Sequence, residues 1–165
     1  MDKPVIAAVA GPAAGIGMSF ALCCDLFVMA ESAFLLAPFS TIGLIPDGGA
    51  TWFLARRLGY HRAYQLCVEA ERIPAAVCLE TGLANRVVAD TELLEQAVGW
   101  AESLAQRAPL ALAGTKQAMR QAMNLSLGET IALEARIQTS RARSDDCREG
   151  VAAFLARRKP EFKGK

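Results

Sequence analysis

Lys3-Pro4-Val5-Ile6-Ala7-Ala8-Val9-Ala10-Gly11-Pro12-Ala13-Ala14-Gly15-Ile16-Gly17 is the stretch whose reading decides the fold. Its first part is a continuous run of small and β-branched apolar residues. Such a run predicts a strand over 4–10 that is buried on both faces, an interior element of a sheet. Residues 11–17 then form a glycine turn, and Met18 to Cys24 predicts an apolar helix ended by Asp25. A helix opening on such a turn points free backbone N–H groups outward. Glycines on each side of Ile16 remove Cβ atoms, so a ligand oxygen has close access to the main chain. Donors there suit a developing oxyanion. A tight strand–helix crossing that simply needs small residues explains the same glycines. The spacing G-x-x-x-G-x-G is not the dinucleotide pattern G-x-G-x-x-G, and no Gly-Lys-Ser/Thr follows.

Outward from this turn, residues 26–30 (Leu-Phe-Val-Met-Ala) predict a second buried strand, and 33–36 a third leading into Pro38. A second turn, Ile45-Pro46-Asp47-Gly48-Gly49, precedes a helical pattern over 50–58 that Gly59 ends. Ala63, Leu66 and Cys67 lie at helical spacing. Arg72-Ile73-Pro74 is read as opening a short helix to Thr81, and 85–88 as a short strand. Asp90 is expected to cap a long amphipathic helix carrying Leu93, Leu94, Ala97, Trp100, Ala101 and Leu104 on its apolar stripe. Pro109 begins the next helix, and helical patterns continue over 127–143 and 144–158. The fold class is therefore α/β, with a strand-bearing front over 1–88 and a helical region over 89–165.

Asp47 has two readings. As an Asp in a turn just before a helix, it is an N-cap or turn residue. As a carboxylate among Leu44, Ile45, Trp52 and Phe53, it sits beside an apolar pocket. Desolvation there would raise its pKa and make it a usable base for a carbon acid. Trp52 follows it on the same helix and is a candidate to line that pocket. His61, the only histidine, stands beside Tyr60 and Arg62 at a helix start and reads as a surface residue.

The totals exclude several classes. The chain has 165 residues, 53% hydrophobic and 21% charged, with a formal net charge of +1. A chain of this size buries roughly 70% of its unfolded surface without a staple. Near-neutral charge gives no bulk electrostatic case for nucleic acid or an anionic membrane. The 5 cysteines (Cys23, Cys24, Cys67, Cys78, Cys147) form no C-x-x-C and no zinc spacing with His61, so no metal site is expected. Free thiols fit a reducing cytoplasm. Neither a signal-type opening nor a bilayer-length apolar run is present, and a cytoplasmic location is expected.

Taken continuously, residues 3–17 resemble the central signature of the crotonase (enoyl-CoA hydratase/isomerase) family. Cys24-Asp25 is similar to that family's helix-ending pair, and residues 42–51 (Ile-Gly-Leu-Ile-Pro-Asp-Gly-Gly-Ala-Thr) to its second signature. The ending resembles its C-terminal helix through Ser144-Asp145-Asp146, Arg148-Glu149-Gly150, Ala153-Phe154, Lys159-Pro160 and residues 162–165. The resemblance implies a ββα superhelix core followed by a helical trimerisation region. It implies an acyl-CoA thioester as substrate, coenzyme A being part of the substrate and no separate cofactor. It further implies a thioester oxygen held by backbone N–H groups, one of them at Ile16 between Gly15 and Gly17. The glutamates that family hydratases use would stand at Ser19 and Phe39, and neither is present, which disfavours plain hydration.

Asp47 falls where family isomerases carry an aspartate, and the likeness is strongest to 1,2-epoxyphenylacetyl-CoA isomerases of phenylacetate breakdown. A double-bond shift or ring isomerisation with Asp47 as acid and base is the implied chemistry. Phe39 and Trp52 are implied substrate contacts. Phe154 falls where the family places an aromatic against the adenine of coenzyme A, and Arg157 near its ribose phosphate. A solvated basic helix end accounts equally for Arg157 and its neighbours. The family's chains normally begin about a third of their length earlier, so the expectation is a partial core, assembled as a homo-oligomer (trimer or hexamer). A non-catalytic remnant that folds or assembles without turnover is the competing expectation, and an enoyl-CoA hydratase the third.

Overall fold

β-Branched and aromatic residues in short runs, cut by glycine turns, produce two small sheets rather than one large one. The computed structural model describes all residues from Met1 to Lys165. They fall into two compact units, one comprising Val5–Gly99 and the other Met1–Pro4 with Trp100–Lys165.

In the first unit, β1 (Ile6–Val9) and β2 (Pro12–Ala14) lead into α1 (Ile16–Cys23), and β3 (Leu26–Ala30) and β4 (Phe34–Leu36) follow. β1 pairs in parallel with β3, Ile6 opposite Leu26, while β2 pairs in parallel with β4, Pro12 opposite Phe34. Each ββ turn thus lays one strand in each sheet, the repeat of a ββα superhelix. β5 (Arg72–Pro74) joins β4 antiparallel, and β6 (Arg86–Val88) joins β3 parallel, giving the orders β1-β3-β6 and β2-β4-β5. Two side chains extend the ladders where the strands stop. Asp25 accepts the Val5 N–H at 2.8 Å, and Asn85 accepts the Phe27 N–H at 2.8 Å.

α2 (Ala50–Leu58), α3 (Tyr60–Val68) and α4 (Ala75–Glu80) complete this unit, and α5 (Leu93–Ala105) begins in it. Its core gathers Met18 and Leu22 of α1, Val28 and Met29 of β3, Leu35, Leu54, Leu66 and Ile73, all essentially solvent-free.

The second unit holds α6 (Pro109–Ala122), α7 (Leu127–Ala142) and α8 (Asp145–Leu155). Ser126 and Glu129 form a reciprocal capping box at the start of α7. Gly114 lets α6 approach α7, since a Cβ there would lie 2.9 Å from Ile137 Cγ2. The buried carboxylate of Asp146 accepts the N–H groups of Lys163 at 2.7 Å and Gly164 at 2.9 Å, fastening the C-terminal segment to α8. None of the helices is long and apolar enough to cross a membrane.

Several expectations are corrected. β1 is not buried on both faces; it pairs on one side only, and its residues are partly exposed. The turn over 11–17 contains a strand, β2, and residues 72–74 form β5 rather than the start of a helix. α1 begins two residues earlier than read, at Ile16. Asp90 does not cap the long helix; it lies in a single 3-10 turn, and its carboxylate accepts from the Ser32 N–H and hydroxyl. Of the residues read onto the apolar stripe of the long helix, Leu93 and Ala97 are buried, whereas Trp100 is only half-buried and Leu94 is exposed.

Candidate active site

The first turn of α1 is built by Gly15. Its backbone (φ 57, ψ −128) lies in a region that only glycine occupies without strain. The Gly15 N–H donates to Leu36 O at 3.0 Å, which seats the turn on the end of β4. Its carbonyl accepts from Met18 N at 3.1 Å and Ser19 N at 3.3 Å. The N–H groups of Ile16 and Gly17 stand ahead of these, where α-helix geometry supplies no intrahelical acceptor. The space in front of Gly17 is open, with nothing within 4 Å of where a Cβ would be. Phe39 packs on the Gly15 side, its Cζ 3.8 Å from that residue's Cβ position, and is buried.

The second glycine turn rests on this helix. After a 3-10 turn (Pro38–Ile42), Gly43 adopts a left-handed φ of 74° and Leu44 N donates back to Phe39 O at 2.9 Å. The chain then crosses to α2 through Gly48 and Gly49, both left-handed at φ 59° and 88°. A Cβ on Gly48 would lie 2.5 Å from Ile16 Cδ1 and 2.9 Å from Ser19 Cβ, so its backbone is in contact with the first turn of α1. The wholly buried Ser19 donates its Oγ–H to Asp47 O at 2.8 Å, and Ala50 N donates to the same oxygen at 3.1 Å.

These contacts bring Gly15, Ile16, Gly17, Phe39 and Asp47 into one locality. Asp47 is a turn residue, its O accepting from Ala50 N, but it does not cap α2, whose N-cap position is Gly49 with no side-chain cap. Nor is it desolvated: Asp47, Leu44 and Ile45 are all exposed. Its carboxylate is left without a hydrogen-bond or ion-pair partner in the chain, so it is available to a ligand.

Trp52 lies on α2, 37% exposed, with the Arg56 guanidinium 4.1 Å above its ring and the Phe53 ring edge-on at 5.0 Å. In the second unit Phe154 is 81% exposed, and Arg157 ends α8 in a left-handed conformation at φ 52°. His61 is exposed and stacks edge-on against Tyr60. No group of three or more His, Cys, Asp or Glu side chains is arranged to hold a metal ion. The residue that sequence reasoning missed is Ser19, noted there only as a missing carboxylate. Its tie to Asp47 spans 28 positions and leaves no local signal.

Comparison with known proteins places the chain in a family. The chain is 42% identical over its whole length to the 1,2-epoxyphenylacetyl-CoA isomerase of Escherichia coli, of which it covers 63%. It is 38% identical over 99% of its length to the 2,3-dehydroadipyl-CoA hydratase of the same organism, covering 64%. The crystal structure of an enoyl-CoA hydratase from Polaromonas sp. JS666 superposes on 98% of the chain with a TM-score of 0.95 at 41% identity, the chain spanning 63% of that protein. The family model described as enoyl-CoA hydratase/isomerase matches residues 1–165, and the chain belongs to that family, the crotonases.

Proposed function

We propose that the protein is a coenzyme A thioester isomerase that moves a double bond, or opens and closes a ring, through an enolate. The observation that carries this reading is the Asp47 turn. It presents an unpartnered carboxylate while its own backbone packs on the helix turn that offers the Ile16 and Gly17 N–H groups. In this scheme the thioester oxygen rests on the Ile16 N–H. Asp47 removes a proton from the carbon next to the thioester, and the electron pair moves onto that oxygen as a dienolate. The same carboxylic acid returns the proton to the far end of the conjugated system, so the bond shifts with no net change in oxidation state. Backbone donors aimed at the oxygen lower the cost of the dienolate without moving during the step.

Hydration calls for carboxylates that position water. The positions expected to carry them hold Ser19, committed to Asp47 O, and Phe39, packed on Gly15. The 42% identity to a protein named 1,2-epoxyphenylacetyl-CoA isomerase supports a ring-bearing acyl group. Phe39 and Trp52 are assigned to the acyl end and Phe154 and Arg157 to the coenzyme A end, an Arg fork being suited to phosphate. Exposed Leu127, Ile131, Val151 and Leu155 in the helical region support a homo-oligomer, a trimer or pair of trimers, which light scattering reads directly. The location assigned is cytoplasmic.

Double-bond migration in a 3-enoyl-CoA, followed spectrophotometrically, tests the reading. General acid–base groups contribute roughly 100- to 10,000-fold, so Asp47→Asn should lower kcat by about that factor. Unchanged turnover in Asp47→Asn removes Asp47 from the chemistry. A hydrated product from an enoyl-CoA returns the hydratase reading. Absence of turnover on enoyl and ring-bearing thioesters, with a folded circular dichroism spectrum, favours the non-catalytic one.

A further inference from the structure

We infer that Ser19 is a positioning residue for Asp47, limiting where its carboxylate reaches; this rests on the reading of Asp47 as the acid/base. A carbonyl oxygen held in place anchors the peptide plane that follows its residue, and that plane contains the residue's own Cα. The point from which the Asp47 side chain departs is thereby fixed relative to the helix that carries the donor, which limits where its carboxylate reaches. Ser19 Oγ holds Asp47 O at 2.8 Å from a helix position whose own backbone is tied to Gly15, and Ser19 is 0% exposed. The Ser19 end of the link is therefore rigid.

The other bond to Asp47 O comes from Ala50 N, which belongs to the turn itself and moves with it. Ser19 is thus the hydrogen bond that ties this peptide to α1. Gly48 completes the seat, since its lack of a Cβ leaves the turn in contact with Ser19 Cβ and Ile16. A buried serine hydroxyl has one proton to donate, and Ser19 spends it on a backbone oxygen rather than on a ligand.

Ser19→Ala deletes the donor, adds no volume and leaves Asp47 O bonded to Ala50, so no buried acceptor is orphaned. Amide hydrogen exchange is the primary readout. Exchange at Ala50 should quicken about tenfold or more while exchange within β3 stays unchanged, the melting temperature falling by only a few degrees. Turnover of the 3-enoyl-CoA should fall by roughly 10- to 100-fold in kcat with KM little changed, as expected for a misaimed catalytic group. Ser19→Cys, which keeps a weak donor, should lie between wild type and Ser19→Ala in both readouts.

Unchanged exchange at Ala50 overturns the inference. So does an increase shared equally by β3, which would make Ser19 a general stabiliser, or a Cys variant indistinguishable from Ala. The exchange result stands apart from the catalytic reading. If Asp47→Asn leaves turnover intact while Ser19→Ala frees Ala50, the assignment of Asp47 fails and the tie itself is retained.

Discussion

Replacing Gly48 by alanine tests whether the Asp47 turn is seated on α1, and Gly43→Ala supplies the reference. Both glycines lie between β4 and α2 with left-handed φ, 74° at Gly43 and 59° at Gly48. An L-residue in that conformation costs about 1–2 kcal/mol. Both substitutions also stiffen the unfolded chain by a similar amount, which offsets part of that cost and cancels between them. What differs is the space. A Cβ at Gly43 meets nothing within 4 Å, whereas one at Gly48 lies 2.5 Å from Ile16 Cδ1 and 2.9 Å from Ser19 Cβ.

Ile16 Cδ1 is the end of a side chain that is 44% exposed, and it swings away cheaply. Ser19 Cβ is fixed by its helix, so the turn has to lift. Overpacking of this kind costs about 1–3 kcal/mol beyond the conformational term. At roughly 2–4 °C per kcal/mol for a chain of this length, Gly48→Ala should melt about 2–12 °C below Gly43→Ala. Thermal unfolding followed by circular dichroism reads both. Melting temperatures within about a degree of each other would show that Gly48 does not rest on α1, and the proximity of Asp47 to the Ile16 turn would go with it.

Burial pushes the Cys78 thiol up to about 12 and raises Cys67, while Cys23 and Cys147 are exposed. A disulfide reagent at pH 8 should therefore modify Cys23 and Cys147 first and leave Cys78 untouched until the chain unfolds. The Arg158 guanidinium, bonded to Glu149 at 2.6 and 2.8 Å, and then the Glu161 N–H hold the Glu149 carboxyl at about 2, below its ordinary 4.5. A depressed carboxylate stabilises the fold above its unfolded value and loses that contribution as pH falls through the folded one. Glu149→Gln should thus flatten the decline in melting temperature between pH 4.5 and 2. Asp146→Ala strips the acceptor from the Lys163 and Gly164 N–H groups, and hydrogen bonds to a charged group are worth about 1.5–3 kcal/mol. Its amide exchange should rise first at those two residues; retained protection there would show that Asp146 does not hold the segment.

Where the chain's own punctuation is strong, the elements were legible from the residues alone. β3 and α2 occupy the residues read for them, and α6 begins at Pro109 as read, since proline at the first helical position needs no N–H acceptor. β2 and β5 were not legible because each is three residues long and defined by a distant partner. Pro12–Ala14 carries no strand former, and in Arg72–Pro74 only Ile73 is buried. Both exist because β4 lies between them and satisfies their backbones. The apolar run of β1 signalled a strand correctly, but composition does not say how many neighbours a strand has.

The site was legible to the extent that residue type announces chemistry. Glycines beside Ile16 mark backbone that a ligand can approach, and a carboxylate in a glycine turn marks an acid or base. Neither type announces its surroundings. Leu44 and Ile45 looked like the wall of a pocket around Asp47, yet they are 59% and 80% exposed. They lie in a loop with no element packed over them, and apolar character buries a side chain only where a partner surface exists to receive it. Ser19 is the converse case. Serine in the middle of an apolar helix is a weak reading by itself, and its meaning comes from the turn that folds back onto it. The parts of the site that chain-local chemistry specifies were therefore readable, and the parts that depend on what covers or anchors them are set only by the folded chain.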